Sequence, residues 1–153
     1  MTTRRFETRS EAETESLARR WAGTLASMPL ITVAGNLGVG KTVFVRGLLR
    51  GLGHAGAVKS PTFTLVEPYQ FAARSVYHFD LYRVENTDEI ELLGFRDYLR
   101  ADSLCIVEWP ERAGALLPRP DIAVMMERTN NEDRVLQLQP HTDLGAAAFD
   151  KLR

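Results

Sequence analysis

The stretch GNLGVGKT, residues 35 to 42, constrains this chain more than any other. It lies between an apolar run, PLITVA, and VFVRGLLRGLG, whose apolar residues recur at helical spacing. Gly35, Gly40, Lys41 and Thr42 satisfy G-x-x-x-x-G-K-[ST] in the strand, loop, helix order that makes the pattern specific. Glycines let the backbone curl without Cβ clashes. The N–H groups of Leu37, Gly38, Val39, Gly40, Lys41, Thr42 and Val43 are therefore expected to turn inward, at a helix N-terminus that favours negative charge. The ligand such a cradle takes is the phosphate chain of a nucleotide. Lys41 is expected to reach the β- and γ-phosphates, and the Thr42 hydroxyl to ligate magnesium. The chain has three lysines, Lys41, Lys59 and Lys151, against sixteen arginines, so a lysine at the one loop position that needs it carries weight. The alternative is a glycine-rich turn before an ordinary helix.

Magnesium also takes a carboxylate, and a hydrophobic strand ending in Asp or Glu is the usual source. LCIVE ends in Glu108 and VYHFD ends in Asp80. Glu108 is assigned to the metal or its water shell and Asp80 to the positioning of water, which makes Lys41, Asp80 and Glu108 the expected catalytic set. There is no N-K-x-D motif of the guanine-reading kind, so ATP is preferred over GTP. His54, His78 and His141 lack metal-ligand spacing, and His78 reads as structural. The tripeptide Ser60, Pro61, Thr62 has two readings, a strand-entry turn or a loop whose hydroxyls respond to the γ-phosphate.

With 153 residues the chain is most simply one domain, 1–153, with residues 1–9 a leader and 141–153 a peripheral tail. Its 44% apolar and 25% charged composition is that of a soluble globular protein, and no apolar run approaches the roughly 20 residues of a membrane span. The opening has no signal-like pattern and Cys105 is the single cysteine, both of which point to the cytoplasm. A net charge of −1 argues against direct, broad contact with nucleic acid. Ser10 and Glu13 stand at capping-box spacing before an amphipathic helix carrying Leu17, Trp21 and Leu25. SPTFTLVEPY and SVYHFDLYR read as extended segments that pair as a hairpin, NTDEIELLGFRDYLR as two helical turns divided by Gly94, and DIAVMMER with RVLQLQP as a terminal antiparallel pair. The helix after the loop is expected to close at Gly51 or Gly53. These elements together predict an α/β fold of P-loop NTPase-like, three-layer type with a mixed parallel/antiparallel sheet.

Taken in order, GNLGVGKT, VKSPTFTLVEPY, YHFDLYR, LLGFRDYL and LCIVEWPER closely resemble the bacterial TsaE (YjeE) family of tRNA threonylcarbamoyladenosine biosynthesis ATPases, from about Ser10 to Leu138. The resemblance implies a small ATPase that uses ATP and Mg2+. Its partners would be TsaB and TsaD, which transfer a threonylcarbamoyl group to an adenosine beside the anticodon, so that tRNA is met only through the complex. It places the phosphate loop on Gly35 to Thr42, the switch-like tripeptide on Ser60, Pro61 and Thr62, the functional aspartate on Asp80, and the magnesium-side glutamate and its tryptophan on Glu108 and Trp109. Ser10 and Arg134 are implied as further nucleotide contacts. The chain departs from the family at Asn36, where Asp is usual, and at Val43, where a second Thr would bring a hydroxyl near the α-phosphate. Two other classes compete: a small-molecule or nucleotide kinase, for which the chain has little room for an acceptor pocket or lid, and a nucleotide-gated binding module without turnover.

Overall fold

The computed structural model describes residues 2–153, so the first residue of the expected leader lies outside the described residues. Its elements run β1 (Arg4–Thr8), α1 (Glu11–Leu25), β2 (Leu30–Gly35), α2 (Lys41–Gly51), β3 (Val66–Gln70), β4 (Ser75–Asp80), α3 (Asp88–Leu93), α4 (Phe95–Tyr98), β5 (Ser103–Glu108), a 3-10 turn (Pro110–Leu116), β6 (Ile122–Arg128), β7 (Arg134–Pro140) and α5 (Asp143–Phe149). The strands form one seven-stranded sheet in the order β1-β7-β6-β2-β5-β4-β3. β6, β2, β5 and β4 are parallel, while β3, β7 and β1 pair antiparallel at the two flanks. β5 is buried along its whole length, as a strand covered on both faces must be.

Strand alternation divides the core into two layers. Ile31, Val33, Leu104, Ile106, Val124 and Leu136 face the layer of α1 and α2. Cys105, Val107 and Phe79 face the opposite layer, with Ile90 of α3 and Phe95 of α4. Helices on both faces of a mixed sheet, with a glycine loop between the central strand and α2, make the P-loop NTPase-like three-layer arrangement read from the sequence. α1 begins where the capping pattern places it: Ser10 Oγ accepts from Glu13 N at 3.1 Å. The two helices touch closely because α2 offers Gly47 and Gly51 to Ala18 and Ala22 of α1. A Cβ on Gly47 would come within 2.4 Å of Glu15 O, and one on Gly51 within 2.4 Å of Ala22 Cβ. Gly51 is thus a packing glycine inside the helix. The end lies at Gly53, with Gly53 N donating to Arg50 O at 3.0 Å and His54 N to Leu49 O at 3.0 Å, a Schellman pair.

Three expectations are corrected. The leader is largely strand β1, which pairs with β7 from Arg4↔Leu138 to Thr8↔Arg134 and brings Phe6 within 4.7 Å of Trp21. The tail is not peripheral: Phe149 and Leu152 are buried in the α1/α2 layer, each worth about 1.5–3 kcal/mol, and Trp21 Nε1 donates to Arg153 O at 3.1 Å. Asp121 ties that tail down, because its carboxylate accepts from Leu30 N at 2.9 Å and from the α5 cap, Thr142 Oγ1, at 2.7 Å. Both ends are recruited because β7 would otherwise leave an apolar face and an unpaired edge in water. Finally, SPTFTLVEPY is extended only from Val66. Residues 61–65 form a turn, with Leu65 N on Pro61 O at 2.8 Å and Leu65 at φ 68°.

Candidate functional site

The parallel strands end at one edge of the sheet, and register places their last residues side by side: Asp80 of β4 opposite Glu108 of β5, and Glu108 opposite Val33 of β2. A ligand crevice at the carboxyl ends of parallel strands is the general rule for open α/β sheets. Gly40 ends the loop at φ 108°, a conformation that favours glycine, and hands the chain to α2, whose first helical bond runs from Phe44 N to Gly40 O. The N–H groups of Lys41, Thr42 and Val43 therefore lie outside the helical ladder, at the positive end of the helix. The loop is braced from behind. Val39 is buried, Arg134 Nε of β7 donates to Val39 O at 2.7 Å, and Arg128 Nη2 of β6 donates to Gly38 O at 3.2 Å.

Lys41 is buried, and its Nζ donates to Gly35 O at 2.7 Å and Asn36 O at 2.8 Å while lying 4.3 Å from the centre of the Trp109 ring. Burial pulls its pKa below the ordinary lysine value, and the nearby negative charges of Glu108, Asp80 and Glu111 pull the other way without cancelling it. Thr42 Oγ1 donates to the Glu108 carboxylate, at 3.2 Å to Oε2 and 3.4 Å to Oε1. His78 Nε2 donates to the same Oε2. Asp80 is held differently. Its Oδ2 accepts from Ser60 Oγ at 3.1 Å and Thr62 Oγ1 at 3.3 Å, and its Oδ1 from Tyr82 N at 3.0 Å. Those bonds, with Asp80 N on Leu65 O at 3.0 Å, draw residues 60–65 across the strand end instead of along it. Trp109, at φ 57°, turns the chain immediately after Glu108 and lays its indole beside Tyr82, with ring centres 4.9 Å apart. A side chain this large in the left-handed region is strained and persists only where its surroundings hold it.

These groups line one open cleft of about 710 Å³. Residues 37–43 form its floor, with Ser60, Thr62, Asp80, Glu108, Trp109 and Arg134 around it, so the structure brings together nearly all of the site residues expected from the sequence. Two stand apart. Ser10 Oγ is engaged in capping α1, and Asn36 meets the site through its backbone oxygen on Lys41. The cleft adds residues that the sequence reading did not name: Glu11 and Thr14 of α1, Tyr82, Arg128, and Asn131 and Glu132 in the β6–β7 turn. Tyr82 had a visible signal, two residues beyond Asp80. The others arrive from distant segments, with no local pattern to mark them.

A family model for "Threonylcarbamoyl adenosine biosynthesis protein TsaE" matches residues 8–136, a span that contains every element of the cleft. The chain belongs to the TsaE family. Membership gives it a role in tRNA threonylcarbamoyladenosine biosynthesis. It is 46% identical over 116 residues to the tRNA threonylcarbamoyladenosine biosynthesis protein TsaE of Haemophilus influenzae, covering 76% of this chain and 73% of that protein. Against the Bacillus subtilis protein of the same name it is 34% identical over 130 residues, 85% of this chain and 81% of the relative. Among solved structures, the crystal structure of Bacillus subtilus YdiB superposes with a TM-score of 0.81 at 25% identity, covering 99% of this chain and 94% of that one. For a TsaE chain, the sheet edge carrying Asp80 and Glu108 is thus part of a shared architecture.

Proposed function

We propose that the chain is an ATP hydrolase that binds ATP with Mg2+ in this cleft and acts with TsaB and TsaD, in the cytoplasm, in the threonylcarbamoyl modification of a tRNA adenosine beside the anticodon. The observation that carries the reading is the convergence of three groups at a free helix N-terminus: the Lys41 ammonium, and the Thr42 hydroxyl 3.2 Å from the Glu108 carboxylate. The donor set suits magnesium, which prefers hard oxygen ligands and takes few from protein when phosphate oxygens and water supply the rest. Among the described residues no cluster of three or more His, Cys, Asp or Glu side chains is placed to hold a metal. Thr42 and Glu108 are the residues that would hold it, and the bound ion would neutralise charge on the phosphates.

The chain's own groups have separable tasks. Lys41 exchanges the carbonyls of Gly35 and Asn36 for phosphate oxygens, and its burial makes that charge count for more than it would in water. Asp80 orients water at the γ-phosphate. Trp109 and Tyr82 wall one side of the cleft. Ser60 and Thr62, already on Asp80, are placed to sense the γ-phosphate, so a partner that fixes residues 60–65 completes the site, and by linkage ATP favours that partner. With a net charge of −1, tRNA is reached through the complex. No helix among the described residues is long and apolar enough to cross a membrane.

The test is steady-state ATPase of the purified chain, alone and with the TsaB–TsaD pair. The expected result is slow hydrolysis alone and acceleration by the pair. A fast rate unmoved by the pair would end the partner-completed reading, and phosphate transfer to a nucleotide or small alcohol in place of water would make the protein a kinase.

A further inference from the structure

We propose that His78 is a positioning residue: its imidazole sets the rotation of the Glu108 carboxylate and thereby how tightly the cleft holds a divalent cation. The inference rests on the nucleotide and magnesium reading above. It also departs from the sequence-based expectation that His78 is merely structural.

His78 lies in β4 opposite Ile106, two residues before Asp80, which is opposite Glu108. It is wholly buried, and so its polarity needs a reason. On the same face of the sheet, Val76 before it and Leu104 and Ile106 beside it are apolar members of the α1/α2 core. A side chain serving only to fill this position would be apolar too. The imidazole instead leaves Nδ1 buried without a hydrogen-bond partner and places Nε2 on Glu108 Oε2. That oxygen also receives Thr42 Oγ1 at 3.2 Å, whereas Oε1 has only the longer Thr42 contact at 3.4 Å. Donors from β4 and from α2 therefore meet on one oxygen, which fixes the carboxylate plane and leaves Oε1 the freer of the two for a cation. Without the imidazole, Glu108 would be anchored by Thr42 alone, the same hydroxyl expected to bind the metal. The carboxylate would then have to be ordered during cation binding. Outer-shell partners of this kind typically govern metal affinity by 10- to 100-fold.

The test is calorimetric titration of ATP into wild type, His78→Leu and His78→Gln, each with magnesium and with EDTA, alongside thermal unfolding of each. The quantity read is the gain in ATP affinity that magnesium brings. The expected result is a gain reduced about tenfold or more in His78→Leu, with affinity in EDTA unchanged, and largely restored in His78→Gln, whose amide keeps a donor. An undiminished gain in His78→Leu overturns the proposal, as does an equal loss with and without magnesium, which would mark a general structural role. If His78→Leu does not fold, His78→Met takes its place as the variant without a ring donor and is read in the same way: a gain reduced about tenfold supports the proposal, and an undiminished gain overturns it. A wild type without any magnesium-dependent gain removes the proposed function and this inference together, whereas a wild-type gain that neither variant changes removes only the inference.

Discussion

The two carboxylates at the sheet edge are neighbours in register, yet their surroundings are built on different principles. Glu108 is anchored from regular structure, by His78 within β4 and Thr42 in the first turn of α2. Asp80 is anchored from an irregular segment, by Ser60 and Thr62, of which Ser60 is exposed. Phe63 between them and Val66 is 82% exposed, with the Arg83 guanidinium 4.3 Å from its ring centre. Partners fixed by sheet and helix ladders can move only if the core moves. Partners on a turn with few buried contacts can exchange at small cost. One acid is therefore set rigidly, as a ligand should be, and the other is coupled to a segment free to answer to nucleotide or partner.

The largest expected effect comes from the cation that both acids face. Lys41→Met should abolish turnover and weaken ATP binding, measured by calorimetry and phosphate release, since no other cation occupies that position on the loop. The same change should raise thermal stability near neutral pH. The folded protein depresses the Lys41 pKa, so over the range between the folded and ordinary lysine values the unfolded chain holds more protons, and wild-type stability rises with pH there. Lys41→Met should remove that rise. Unchanged ATP affinity in this variant would dissolve the comparison, because the loop would not be the binding element.

Next, Glu108→Gln should leave ATP binding in EDTA intact while hydrolysis falls by about 10²-fold or more. Asp80→Asn should cost less, about tenfold, the equivalent of a hydrogen bond's ~1.4 kcal/mol. It should also free residues 60–65, read as faster amide hydrogen exchange confined to that turn. If Asp80→Asn is silent while Glu108→Gln is inactive, Asp80 is structural and the pairing of the two acids fails. The smallest effects belong to Ser60→Ala and Thr62→Ala. Each removes a part-exposed hydrogen bond, so stability should change by no more than about 1 kcal/mol in denaturant titration, with little loss of basal ATPase and a larger loss of stimulation by the TsaB–TsaD pair. A stimulation that survives both substitutions would make the turn a passive support.

Much of this was open to reading along the chain. The loop is legible because its chemistry is local: a strand, a glycine curl and a helix N-terminus within some twenty residues, each with its own spacing rule. Glu108 and Asp80 are legible as acids closing apolar runs. The Ser10 cap of α1 is legible from its spacing to Glu13, but that bond leaves the hydroxyl elsewhere than in the cleft. The extended reading of residues 60–65 failed because β-like composition yields to two hydroxyls competing for one carboxylate across the strand end.

What the sequence determined by itself is therefore everything whose cause lies within a few residues: which segments alternate, where α1 and α2 begin, and which loop can surround a phosphate. Register and closure belong to the tertiary structure. That Asp80 stands beside Glu108, that Glu11 and Asn131 reach the same cleft, and that Arg4–Thr8 and Leu152 complete the core follow from strands pairing across long stretches of chain. His78 is the plainest case. In the chain it is one residue in an apolar-rich strand, and only the sheet, by bringing β4 against β5, gives its ring nitrogen a carboxylate to hold. A hydrogen bond depends on distance in space, and nothing in the spacing of residues 30 apart specifies it.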